Sequence, residues 1–195
     1  MRTSEVTSYF NTVVQVIAQM PLATVDRVVQ MLFQAYESNR MIYLFGNGGS
    51  AALASHFACD LGKGAANGSG KRFQVLAFTD NVPLMTAWAN DARYEDIFAE
   101  QLINFVRPAD IAFGISGSGK SPNVLKALRV AHNAGAVTIG LTGFQGGDMR
   151  SICDLCVVVP SDNMQIIEDL HLSVTHAVFT ALRARICLQN GVAVA

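Results

Sequence analysis

The chain is 195 residues long, 51% hydrophobic and 15% charged, with a net charge of −1. The length suits a single domain, residues 1–195, with a full hydrophobic core. The balanced charge leaves no basic footprint for nucleic acid, and no run approaches the roughly 18 apolar residues of a membrane span.

A charged fraction well under the usual ~25% implies surface buried between copies of the chain, hence a homo-oligomer. The start, Met1-Arg2-Thr3-Ser4-Glu5-Val6, is not a secretory signal, which points to the cytoplasm. Residues 4–20 and 23–39 then carry apolar side chains at helical spacing, with Pro21 between them. This predicts a helical hairpin over residues 1–40, packed on the domain or on a second copy, ahead of an α/β core over residues 41–195. Five short, nearly continuous apolar runs follow at 41–45, 73–78, 110–115, 136–141 and 154–159, the pattern of strands buried on both faces. Helical segments at 50–62, 82–104, 121–134 and 165–187, with a short turn near 147–151, alternate with them. The alternation predicts an α/β fold: a five-stranded parallel sheet between two helical layers. A polar loop from Gly64 to Arg72 is placed to cover a site at the strand ends.

Two of the strands end in glycine- and serine-rich turns that open helices: Phe45-Gly46-Asn47-Gly48-Gly49-Ser50, and Gly114-Ile115-Ser116-Gly117-Ser118-Gly119-Lys120-Ser121. A helix N-terminus offers unpaired N–H groups and a partial positive charge, and glycine lets an anion approach the backbone. Two such cradles predict a phosphorylated ligand at the C-terminal strand ends. The second also matches the nucleotide P-loop pattern letter for letter. Pro122 argues against that reading, because it lacks the N–H that a P-loop presents to phosphate and suits instead the first turn of an ordinary helix. Cys153 and Cys156 have redox-pair or half-zinc-site spacing, but no second pair completes a zinc knuckle and the segment leads into a strand. They read as structural.

Gly46-Asn47-Gly48-Gly49-Ser50 with His56 downstream, Ala89-Asn90-Asp91, the Ser116–Ser121 loop, Leu141-Thr142-Gly143 and Val159-Pro160 together resemble the sugar isomerase (SIS) domain family, most of all its phosphoheptose isomerase branch. The resemblance spans nearly the whole chain. It implies a three-layer flavodoxin-like sandwich, a homotetramer with sites at subunit interfaces, and conversion of sedoheptulose 7-phosphate to a heptose phosphate, often with zinc. Carried across, Asn47, Gly48, Gly49 and Ser50 match a substrate loop, Asn90 and Asp91 a substrate contact, and Ser116, Gly117, Ser118 and Ser121 the phosphate loop. His56 and His176 match zinc ligands, and His176 also an acid/base. Asp60 stands where the family has a glutamate that binds metal and acts as base, and Glu168 where it has a glutamine ligand. An arginine and an aspartate of the family pattern are replaced by Gly64 and Gln165, which leaves the sugar open. Other members keep the fold and the sugar-phosphate pocket but serve as interaction proteins, one of them assisting a bacterial replication initiator.

The residues themselves support proton-transfer chemistry. His56 and Asp60 are four apart, on one helix face about 6 Å between Cβ atoms, which is ligand or acid/base spacing. Asp60, Glu168 and His176 supply the acid/base groups that aldose–ketose isomerisation needs, and with His56 they form a candidate Zn²⁺ set. Glu168 and His176 lie eight apart, roughly 12 Å along a helix axis, at the edge of joint reach. The same residues also have plain roles open to them: His56 capped by Asp60, His171 as packing, Glu168 and Asp169 as charges in a helix's first turn, and Asn90-Asp91 as a turn between helices.

Overall fold

The computed structural model describes residues 4–65 and 71–191. The N-terminal hairpin is α1 (Glu5–Ile17) and α2 (Leu22–Glu37). Ser4 caps α1, its hydroxyl accepting from the Thr7 N–H. The core then runs β1 (Met41–Gly46), α3 (Gly49–Cys59), β2 (Gln74–Ala77), α4 (Val82–Asp91), α5 (Ala99–Ile103), β3 (Ile111–Ile115), α6 (Pro122–Asn133), β4 (Val137–Thr142), α7 (Met149–Ile152), β5 (Leu155–Val158) and α8 (Met164–Gln189). The cover expected over Gly64–Arg72 lies largely outside the described residues.

The five strands are all parallel, in the order β2-β1-β3-β4-β5. Alternate side chains enter two separate cores. Ile42, Leu44, Ile111, Phe113, Ile139 and Leu141 pack with Val28 and Leu32 of α2, Phe57 of α3 and Leu182 of α8. Tyr43, Phe45 and Ala112 face the other way, onto Phe98, Leu102, Val124 and Leu128 of the α5–α6 side. A third cluster seats Val16 of α1 against Ile166, Ile167 and Leu170 at the start of α8. The outer stripe of α1 stays uncovered, with Val6, Phe10 and Val14 exposed by 67%, 63% and 66%. Among the described residues, no single helix is long and apolar enough to cross a membrane.

Two of the expected helices are interrupted. The segment 82–104 divides into α4, a 3₁₀ turn at Tyr94–Asp96, and α5. The Asn90 and Asp91 side chains bond to each other, Ala92 leaves helical geometry at φ −130°, ψ −104°, and Arg93 is extended. The segment 50–62 becomes α3 followed by a π-helical turn at Asp60–Gly64. Cys153 and Cys156 pack behind β4, and burial pushes their thiols up to about 12 and about 11, so both remain protonated, as suits a structural pair.

Two carboxylates pin the strands at the end away from the cradles. Asp154 accepts from the Thr138 N–H and hydroxyl, both at 2.8 Å. Asp110, buried before β3, accepts from the Met41 N–H at 3.0 Å and the Arg107 N–H at 2.9 Å. Asp110→Ala would leave the Met41 N–H at the start of β1 and the Arg107 N–H ahead of β3 unpaired, and should lower the unfolding free energy by about 2–3 kcal/mol, read as a shifted urea midpoint at unchanged m-value.

Candidate active site

Both cradles form at the C-terminal ends of neighbouring strands. After β1 the chain turns through Asn47 and Gly48, whose φ of +55° lies in the left-handed region, and enters α3 at Gly49. A Cβ on Gly46 would stand 2.7 Å from the Ile115 carbonyl oxygen, so the first turn is pressed against the end of β3. After β3 the second turn passes Ser116, Gly117, Ser118 and Gly119 (φ +65°) to Ser121 and the start of α6 at Pro122. The hydroxyls of buried Ser116 and half-buried Ser121 lie 2.9 Å apart, and the Ser118 hydroxyl accepts from the Lys120 N–H at 3.2 Å. Pro122 occupies the first helical position, so the row of N–H donors that a P-loop needs is broken there.

The two turns are tied by side chains. Asn47 Nδ2 donates to Asn123 Oδ1 at 2.9 Å, Asn123 Nδ2 donates back to Asn47 Oδ1 at 2.8 Å, and the Tyr94 hydroxyl adds a bond to Asn47 Oδ1 at 3.0 Å. Neither Asn123 nor Tyr94 stands out in the sequence. Asn123 follows the proline of an ordinary helix start, and Tyr94 sits where the periodicity predicts continuous helix.

Beside the first cradle, α3, the π-helical turn and α8 converge. His56 Nε2 lies 2.9 Å from His176 Nε2, and Asp60 Oδ2 lies 3.5 Å and 3.8 Å from these two nitrogens. The three ligand atoms all fall within 4.8 Å of one another, a group able to hold a metal ion. Asp60 Oδ2 is buried and accepts no hydrogen bond, so the cluster leaves a carboxylate oxygen to be satisfied by a cation or a proton.

Glu168 is not part of that group. Eight residues before His176 on α8, its carboxylate instead covers the first cradle, where a Cβ on Gly49 would stand 3.1 Å from Glu168 Oε1. It shares with Gly49, Ser50, His56, His171 and His176 a cavity of about 380 Å³. Asn90 and Asp91 end α4, exposed and bonded to each other at 2.7 Å, and do not line this cavity. Tyr9 of α1 reaches in behind and donates to Asp169 at 2.5 Å, a bond that raises the Tyr9 hydroxyl to about 12.

The fold and the outline of the site define a class, a doubly wound α/β domain with two glycine–serine turns at the strand ends and a His–Asp–His cluster beside them. A SIS domain profile matches residues 8–143. The phosphoheptose isomerase of Paramagnetospirillum magneticum is 40% identical over 159 residues, covering 82% of each chain. That of Roseiflexus sp. is 38% identical over 161 residues, covering 83% of this chain and 79% of the relative. Among solved structures, the phosphoheptose isomerase of Neisseria gonorrhoeae superposes with a TM-score of 0.84 at 27% identity, covering 92% of this chain and 97% of that one. The enzyme from Francisella tularensis gives 0.85 at 26% identity, again covering 92% and 97%. The chain belongs to the SIS-domain family and, within it, to the phosphoheptose isomerases.

One cavity residue has no polar side-chain partner. His171 is 1% exposed, neither ring nitrogen makes a well-aligned hydrogen bond, and burial lowers its pKa to about 4, opposed in part by the Thr142 backbone beside it. It is therefore neutral at physiological pH. Because the unfolded chain binds a proton here that the folded chain does not, His171 makes stability fall as pH drops from about 6.5 towards about 4. The difference in unfolding free energy between pH 7 and pH 5 should be smaller in His171→Leu than in wild type, by on the order of 1–2 kcal/mol, when both are titrated with urea.

Proposed function

We propose that this chain is a cytoplasmic sugar-phosphate isomerase that converts sedoheptulose 7-phosphate to D-glycero-D-manno-heptose 7-phosphate. The observation that carries the reading is the convergence of His56, Asp60 and His176 within 4.8 Å beside the first cradle, in a chain 40% identical to one phosphoheptose isomerase over 82% of its length. The non-catalytic interaction role drops out on the same ground, since the retained cluster has acid/base chemistry and the relatives carry the name of an enzyme.

Glu168 decides where the phosphate goes. Its carboxylate already covers Gly49 at the start of α3, so a phosphate there would meet a like charge. The second cradle offers the Ser116, Ser118 and Ser121 hydroxyls at the start of α6 and takes the phosphate. Asn47, Gly48, Gly49 and Ser50 then face the sugar, with Asn90 and Asp91 approaching from the end of α4.

Isomerisation moves one proton between adjacent carbons. A carboxylate, Asp60 or Glu168, takes the proton from C1 as the C1=C2 bond forms, and His176 protonates the C2 oxygen to give an enediol. Loss of the O1 proton and return of a proton to C2 then yield the aldose. His56, Asp60 and His176 fit Zn²⁺ by donor type, and the unpartnered Asp60 Oδ2 is the oxygen such an ion would satisfy. When bound, the ion would supply electrostatic stabilisation of developing negative charge on the substrate oxygens. Residues 1–195 act as one unit, and the uncovered stripe of α1 seats a second copy in a homotetramer.

The test is an NMR time course of sedoheptulose 7-phosphate in deuterated water. Product formation and solvent exchange at C1 and C2 are expected, and neither with this or related sugar phosphates would overturn the reading. His176→Ala should lower turnover by at least ~10²-fold with the oligomer intact. Removal of metal with a chelator should abolish activity and added Zn²⁺ restore it. By sedimentation, Phe10→Glu should shift the assembly to smaller species, because it sets a charge on the apolar stripe.

A further inference from the structure

Asn123 lies at the second position of α6, 1% exposed, and points at the opposite cradle. Its orientation can be read without ambiguity. The Val124 N–H can only donate, and it reaches Asn123 Oδ1 at 2.9 Å, which fixes the oxygen end of that carboxamide. Asn123 Oδ1 in turn faces Asn47 Nδ2 at 2.9 Å, and Asn123 Nδ2 faces Asn47 Oδ1 at 2.8 Å. The orientation of Asn47 is therefore set by Asn123. The Tyr94 hydroxyl at 3.0 Å fills the remaining capacity of Asn47 Oδ1.

A primary amide has two N–H groups and an oxygen with two lone pairs. At Asn47 both lone pairs and one N–H are engaged, and the other N–H has no partner among the described residues. Asn47 is only half-buried and lies beside Gly48 at the mouth of the first cradle. We propose that Asn123 is a positioning residue: by holding Asn47 in a reciprocal amide pair it presents one N–H of Asn47, and no acceptor, to a substrate oxygen. The pair also fixes the distance between the sugar-facing and phosphate-facing cradles, which sit on separate helices. This rests on the isomerase reading for the identity of the substrate, but the pairing itself does not.

A group that acts through another is recognised by non-additivity. In wild type, Asn123→Leu should lower kcat/KM for sedoheptulose 7-phosphate by ~10²-fold, the scale of a misplaced substrate contact. In an Asn47→Ala background the same change should cost less than ~2-fold, since nothing remains to position. Equal losses in both backgrounds would overturn the proposal and assign Asn123 a purely structural role. A second measurement is independent of both turnover and the folding of the variants. In wild-type protein labelled with ¹⁵N-asparagine, one side-chain amide proton of Asn47 should exchange slowly with solvent and its geminal partner quickly. Two fast-exchanging protons would refute the pairing. A wild type without turnover on any sugar phosphate would overturn the isomerase reading, while the exchange measurement still decides the pairing.

Discussion

β1 and β3 are hydrogen-bonded neighbours, yet they feed helices on opposite faces of the sheet: β1 runs into α3 on the α2–α8 side, and β3 into α6 on the α5 side. Two chains leaving one edge in opposite directions open a crevice between them. Its two walls are the glycine–serine turns, and each wall ends in a helix N-terminus. The order β2-β1-β3-β4-β5 is what makes these strands adjacent, so the sheet order creates the place where a phosphorylated ligand can sit. The Asn47–Asn123 pair spans that crevice.

The His56–Asp60–His176 cluster reaches the crevice by a second route. α8 is 26 residues long, and one face of it packs along α2 and α3 through Val174, Val178 and Leu182. That packing sets His176 against His56, while the start of the same helix sets Glu168 over Gly49. One rigid element thus delivers two groups to different ends of one cavity, which is why Glu168 stands apart from the cluster although it shares a wall with it. α1 holds the start of α8 in place through Val16 and the Tyr9–Asp169 bond.

Much of this is legible in the amino-acid sequence because the signals are local. Five apolar runs bounded by turns mark five strands, and the cradles declare themselves through glycine and serine at helix starts. Pro122 marks the start of α6 and removes the P-loop reading. His56 and Asp60 are legible as a pair through their spacing. Other features depend on contacts far apart in the chain and leave no periodic trace. His171 reads as packing, and only the fold shows that its buried ring has no well-aligned hydrogen bond. Asn123 and Tyr94 become visible only once two strand ends are brought together. The break after α4 arises from a few residues whose backbone departs from helix, below the resolution of a periodic pattern.

The π-helical turn at Asp60–Gly64 carries a consequence for how this chain can vary. A π turn holds one residue more than the α turn it replaces, and such turns persist where they serve a site rather than a helix. The additional residue is taken up within the turn itself, so the helix before it keeps about the seating that a regular α turn would give it. The two ends of the turn are less forgiving. Asp60 at its start supplies the carboxylate of the His56–Asp60–His176 group, and a Cβ on Gly64 at its end would stand 2.7 Å from the Phe179 ring. The identity of those two residues is thus a harder constraint than the count of residues between them.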